Sequence, residues 1–226
     1  AADLLGATPL DRPEDVQPNV KSGKVYVALT NNAKRTSAQA DAVNPRGPNL
    51  WGQIVELSPE AENHAAANFT WDMLALCGNP ADETVNARWN TETSENGWFA
   101  CPDNLAVDPA GRLWVATDQG KNWAKASGTA DGIWAIDTDG DLRGRGKMFF
   151  RVPVGAEMCG PCFSDDGQTL FVAVQHPASD GTEAFPGFER KSTYSDPATR
   201  WPDFDPATPP RPSIVAIRRK SGGSVG

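Results

Sequence analysis

The chain has 226 residues, 39% of them hydrophobic and 22% charged, which is enough apolar material for a packed core and too much for a disordered segment. Twenty-one Lys and Arg face 29 Asp and Glu, and a net charge of −8 argues against nucleic acid as a partner, since that needs a basic face. No apolar run of 18 or more residues is present to span a membrane, and no signal-peptide pattern opens the chain; starting at Ala1 without Met, it reads as a processed protein or a piece of a longer one.

Read in chain order, the sequence repeats itself. Arg12 to Ala28, Cys101 to Ala116 and Cys159 to Ala173 align as a short polar lead, a strand, a tight turn and a second strand ending in Val-Ala. Asp108-Pro-Ala-Gly111 and Asp165-Asp-Gly167 are turn sequences, because Gly accepts positive φ, so each pair of strands is predicted to form a hairpin. A third apolar run follows in each unit, at 53–57, 132–136 and 213–217. A fourth follows in the first two, at 70–76 and 147–152. Four antiparallel strands per repeat is the plan of a β-propeller blade. The repeat glycines at 23, 111 and 167 are spaced by 88 and 56, more than the usual ~40–50 residues per blade. The Pro-, Asn- and Asp-rich insertions at 30–51 and 175–212 account for the excess. The expectation is an all-β, single partial β-propeller domain over 1–226, with blade-like units at about 10–77, 99–153 and 157–218. Three blades do not close a ring, which takes roughly 4–8. The remainder of a larger propeller, or a second chain, would have to cover the open edges. Helix is predicted only as one or two turns within 60–68.

Some chemistry is excluded by scarcity. His64 and His176 are the only histidines, so a His-rich zinc site is out. The cysteines are Cys77, Cys101, Cys159 and Cys162. Cys159-Gly-Pro-Cys162 has redox spacing but lacks the βαβ context of a thioredoxin motif, so buried thiols or a disulfide are the alternatives to a redox role. Asn68-Phe69-Thr70 is a glycosylation sequon, a short pattern of low specificity. Trp51, Trp98, Trp123 and Trp201 fall in predicted loops and read as loop anchors.

In a blade, the residues leading into the first strand gather at the channel mouth. The end of the second strand lies on the same face. Here these positions hold Arg12, Glu14 and Asp15, then Asp103 and Asn104, then Glu157, joined by Asn31, Asn32, Asp118, Gln175 and His176. Carboxylates converging on one mouth repel unless protons or cations neutralise them. Carboxylate and amide oxygens suit Ca²⁺, and Fe³⁺ is compatible. Asp and Asn before strands also cap turns, so local roles stay open for Asp15, Asn104 and Asp118. Arg12 either pairs with Glu14 or Asp15, or presents its fork to a phosphate. His176 reads as a loop residue.

Arg12-Pro-Glu-Asp-Val16, Val25-Tyr-Val-Ala-Leu-Thr-Asn-Asn32, Phe99-Ala-Cys-Pro-Asp-Asn-Leu105, Gly155-Ala-Glu-Met-Cys-Gly-Pro-Cys-Phe163 and Leu170-Phe-Val-Ala-Val-Gln-His176 closely resemble the C-terminal half of PhoX-type bacterial alkaline phosphatases, across residues 8–218. The resemblance implies a six-bladed propeller enzyme that is exported by the twin-arginine route to the periplasm or beyond. It implies hydrolysis of small-molecule phosphomonoesters at an iron and calcium cluster in the channel mouth. By motif, Arg12 and Glu14 resemble the family's phosphate-binding Arg and a metal-ligand Glu. Glu157 and Asp103 resemble further metal ligands, and Asn104 and Asp118 are additional candidates. The family's N-terminal half, with an iron-ligating Cys and more Glu ligands, lies outside this chain, so an inactive fragment is one expectation. A calcium-dependent gluconolactonase-like lactone hydrolase and a non-enzymatic calcium-binding propeller scaffold are the alternatives.

Overall fold

The computed structural model describes residues 2–226, leaving out the side chain of Asp3. The chain lays down three antiparallel sheets. The first comprises β1 (Pro13–Pro18), β2 (Val25–Leu29), β3 (Gln53–Pro59) and β4 (Phe69–Leu76), in that spatial order. The second comprises β5 (Pro102–Val107), β6 (Leu113–Thr117), β7 (Gly132–Ile136) and β8 (Gly146–Arg151). The third has three strands, β9 (Glu157–Phe163), β10 (Leu170–Gln175) and β11 (Ser213–Ile217). These are propeller-type blades, two of four strands and one of three. They do not close a ring.

The period-2 alternation of each strand decides how the blades stack, because successive side chains face opposite sides of a sheet. On β6, Leu113 and Val115 face the first sheet and pack with Tyr26, Ile54, Phe99, Leu105 and Trp134. Trp114 and Ala116 face the third sheet and pack with Ile133, Met158, Leu170, Val172 and Val174. The middle blade is thus apolar on both faces and sandwiched. The outer blades are apolar on both faces too, and each has one face uncovered. Val27, Leu29 and Val55 on the far side of the first sheet line an open groove of about 580 Å³ with Leu10, Val43, Leu57 and Trp71. On the far side of the third sheet, Phe171 is 40% and Ile214 71% exposed.

Helix within residues 60–68 is limited to a single 3₁₀ turn, Glu60–Glu62, as expected, because Ala61 sits at φ 53°, which breaks the helical path. Two sequence expectations need correction. A short helix not anticipated, α1 (Trp123–Ala126), lies between β6 and β7. Finally, Glu14, Asp103 and Glu157 do not precede the first strands but lie in them. The reason is local irregularity. Glu14 is the extra residue where register shifts between Pro13 and Asp15, and Asp103 and Asn104 together oppose Ala116. In β9, Gly160 and Pro161 oppose Val172. Bulges of this kind re-aim side chains. All four cysteines are free thiols, Cys77 and Cys101 buried and Cys162 exposed.

The 30–51 insertion is fastened by a buried polar knot. Arg35 Nε donates to Asp11 Oδ1 at 2.5 Å, Asn49 Nδ2 donates to Asp11 Oδ2 at 3.0 Å, and Asn44 Oδ1 accepts from the Asp11 amide at 2.9 Å. Asp11 immediately precedes Arg12, so the knot fixes where that guanidinium starts. Arg35→Ala should destabilise the protein by about 3–5 kcal/mol, because it strands a buried carboxylate. Urea denaturation monitored by tryptophan fluorescence checks this; a loss under about 1 kcal/mol would mean the pair is solvated.

Candidate metal centre and phosphate site

Three carboxylates from two blades converge. Asp103 on β5, Asp118 just after β6 and Glu157 at the start of β9 each offer an oxygen, and these oxygens lie within 4.8 Å of one another. Asp103 is buried, and the other two are half-buried. Burial, then the charges of Asp118, Glu14 and Glu157, push the Asp103 carboxyl up to about 7 against the opposing pull of Arg12. Asp118 is raised as well, by burial and by Glu157. This cluster holds more negative charge than its surroundings compensate, and a hard cation with oxygen ligands is the chemistry that fits it.

The neighbouring residues divide into those that face the cluster and those that hold it. Arg12 Nη2 donates to Glu14 Oε1 at 2.8 Å, and its Nη1 reaches Asn31 Oδ1 at 3.4 Å. The Arg12 side chain is 55% exposed, so this ion pair is loose and its fork remains accessible. Glu14 lies outside the trio but close enough to raise Asp103. Asn104 bonds on both sides: its Nδ2 donates to Asp103 Oδ1 at 2.9 Å, and its Oδ1 accepts from the Gly160 amide at 2.8 Å. Asp15 is a tie between blades, with Oδ2 accepting from the Leu105 amide at 2.7 Å and Oδ1 from the Val16 amide. Asn32 is a turn residue whose Oδ1 accepts from the amides of Lys34 and Arg35. Arg12, Cys101 and His176 all have positive φ, at 24°, 55° and 36°, beside the ends of β1, β5 and β10. Non-glycine residues in this region concentrate at functional sites.

The sequence places Gln175 and His176 on this face without their contact to Glu157, and it gives no sign of Cys159 and Asp131 as supports. Glu157 accepts from Cys159 Sγ at 2.9 Å on Oε1. On Oε2 it meets Gln175 Nε2 at 2.8 Å and His176 Nε2 at 3.2 Å. His176 is therefore at the site and not merely in a loop. Burial lowers its pKa while Glu157 and the Gly155 carbonyl raise it, and the net shift is upward. Asp131 carries the stretch after Asp118, accepting from Thr117 Oγ1 and from the backbone and side-chain nitrogens of Gln119. Of the two acids that bound residues 118–131, only Asp118 was singled out in the sequence; the role of Asp131 depends on the path of the chain between them. A cavity of about 570 Å³ is lined by Gly120, Trp123, Arg151, Asp180 and Phe185, and none of the three carboxylates lines it.

The propeller-type blades thus bring converging acids and an accessible arginine to one end of the sheets. The chain belongs to the alkaline phosphatase PhoX family, whose model matches residues 1–178. It is similar to Pseudomonas fluorescens PhoX solved in complex with vanadate, a transition-state analogue, with 33% identity and a TM-score of 0.81. That match covers 99% of this chain and 36% of the other, so the chain spans about a third of the length of that protein. A luciferin-regenerating enzyme structure matches at 14% identity and a TM-score of 0.43, over 94% of this chain and 47% of that one. No match is found among the curated proteins.

Two tests follow from the geometry. Asp15→Ala should cost about 1–3 kcal/mol in urea denaturation, the value of hydrogen bonds to a charged acceptor. A loss under about 0.5 kcal/mol would mean that the tie to the Leu105 amide does not hold the blades together. Burial pushes the Asp131 carboxyl up to about 7 from 3.8, so the folded protein holds a proton that the unfolded chain has released. Stability from this group is full below about pH 4 and declines as pH rises to about 7. Asp131→Asn should flatten that decline in denaturation curves taken from pH 4 to 8; an unchanged slope would place its source elsewhere.

Proposed function

We propose that this chain forms part of the active site of a metal-dependent phosphomonoesterase. The observation that carries the reading is the convergence of Asp103, Asp118 and Glu157 within 4.8 Å in a member of the PhoX family. The similar Pseudomonas fluorescens PhoX was solved in complex with vanadate, a transition-state analogue, and this supports a phosphoryl-transfer reading. In this proposal Asp103, Asp118 and Glu157 hold hard cations, Ca²⁺ with Fe³⁺, and Glu14 completes the ligand set, while Asn104, whose side-chain atoms engage Asp103 and the Gly160 amide, supports the site and is not a ligand. Such cations, when bound, offset charge on the transferring phosphoryl group and activate its attacker.

The residues of this chain do the rest. Arg12 binds the non-bridging phosphate oxygens through its fork, turning from Glu14 to do so. Glu14, released from that pair, turns its carboxylate to the cation side. Asn104 keeps Asp103 oriented from behind, and Asp15 keeps the first and second blades in register. Additional blades, from the same protein or from a second chain, cover the apolar faces of the first and third sheets. Action in the periplasm or outside the cell, after twin-arginine export, rests on family membership; no described helix is long and apolar enough to cross a membrane.

The test is hydrolysis of p-nitrophenyl phosphate and of a sugar lactone by the intact protein, with metal content measured alongside. Phosphate ester hydrolysis is expected, together with loss of both metal and activity in Asp103→Asn. Arg12→Ala should lower kcat/KM by on the order of 10²-fold, the effect of removing one oriented donor, with metal retained. Lactone hydrolysis alone, or calcium binding without any hydrolysis, would overturn the proposal.

A further inference from the structure

Glu157 is the most heavily supported carboxylate of the cluster. Each of its oxygens meets a side chain that projects from the third blade. Cys159, two residues along β9 and so on the same side of the strand, brings Sγ to 2.9 Å from Oε1. A sulfur this close to a carboxylate oxygen is donating a proton. Gln175 at the end of β10 is paired with Glu157 in the sheet register, and its Nε2 is 2.8 Å from Oε2 and 3.6 Å from Cys159 Sγ. His176, held at φ 36°, brings Nε2 to 3.2 Å from Oε2 while its Nδ1 faces the Gly155 carbonyl at 3.3 Å. The bulge at Gly160 and Pro161 falls directly after Cys159.

From this arrangement we infer that Cys159 is a positioning residue: as a neutral thiol it fixes the rotamer of Glu157, with Gln175 and His176, so that the carboxylate meets the cation in a set orientation. The first cysteine of the Cys159-Gly-Pro-Cys162 motif thereby has a role that is neither redox nor metal ligation. Cys162, exposed and hydrogen-bonded only to the carbonyl of its neighbour Phe163, takes no part. The inference rests on the cation-site reading above. Groups that orient metal ligands in this way typically change metal affinity by about 10–100-fold when removed.

The experiment is calcium titration by calorimetry on the intact, chelator-stripped protein, with cadmium as a soft comparison. Cys159→Ala should weaken calcium binding by about 10-fold or more. Cys159→Ser, which restores an O–H donor, should recover most of that loss. Gln175→Met, on an exposed side chain that the core does not need, should weaken calcium in the same direction and guards against misfolding of the cysteine variant. Unchanged affinity in Cys159→Ala and Gln175→Met would overturn the inference and leave the cation site standing. Cadmium binding that collapses equally in Cys159→Ala and Cys159→Ser would overturn it by making the sulfur a ligand. A wild-type protein that takes up no calcium would overturn the cation site itself.

Discussion

Like charges brought together in a half-buried place are the constraint on which the functional end of this molecule depends. Asp103, Asp118 and Glu157 repel one another, and burial removes the water that would screen them. A fold pays for such an arrangement only by over-determining it elsewhere. Here the determinants are visible: the bulges that aim Glu14 and Asp103, the left-handed residues at Arg12, Cys101 and His176, and hydrogen bonds that approach each ligand from behind. Asn104 holds Asp103, the Asp131 network carries the stretch after Asp118, and Cys159 with Gln175 holds Glu157. These supports act within single blades; the bonds that tie one blade to the next beside the cluster run from the Gly160 amide to Asn104 Oδ1 and from the Leu105 amide to Asp15 Oδ2.

The stacking of the blades is supplied by apolar alternation. The middle blade buries Leu113 and Val115 on one side and Trp114 and Ala116 on the other. Such two-faced strands mark a sheet sandwiched between sheets. The same patterning in the first and third blades leaves Val27, Leu29 and Val55, and Phe171 and Ile214, without a neighbouring sheet.

Much of this was legible in the residues. Val25-Tyr-Val-Ala28, Leu113-Trp-Val-Ala116 and Leu170-Phe-Val-Ala173 carry the period-2 signal, and the Gly-containing turns fix the hairpins, so blade architecture follows from local chemistry. The acids at the mouth were legible as a set because they recur at equivalent points of the repeat. Their division of labour was not. Glu14 and Asp15 are adjacent acids, yet one is paired with Arg12 near the cluster and the other ties β1 to the Leu105 amide. What separates them is a bulge, and a bulge is set by register between strands, which no single strand encodes. Gln175 and His176 were legible on the same face as Glu157, but their bonds to it were not, because they lie 18 and 19 residues away and meet it only through the β9–β10 pairing.

The central claim is that Asp103, Asp118 and Glu157 hold cations. Anomalous X-ray diffraction from crystals of the intact protein, collected on both sides of the iron edge and at a long wavelength sensitive to calcium, tests it most directly. The account predicts anomalous peaks within bonding distance, about 2.0–2.6 Å, of oxygens from these three side chains. Density there that shows only water, with any metal bound elsewhere, would contradict it.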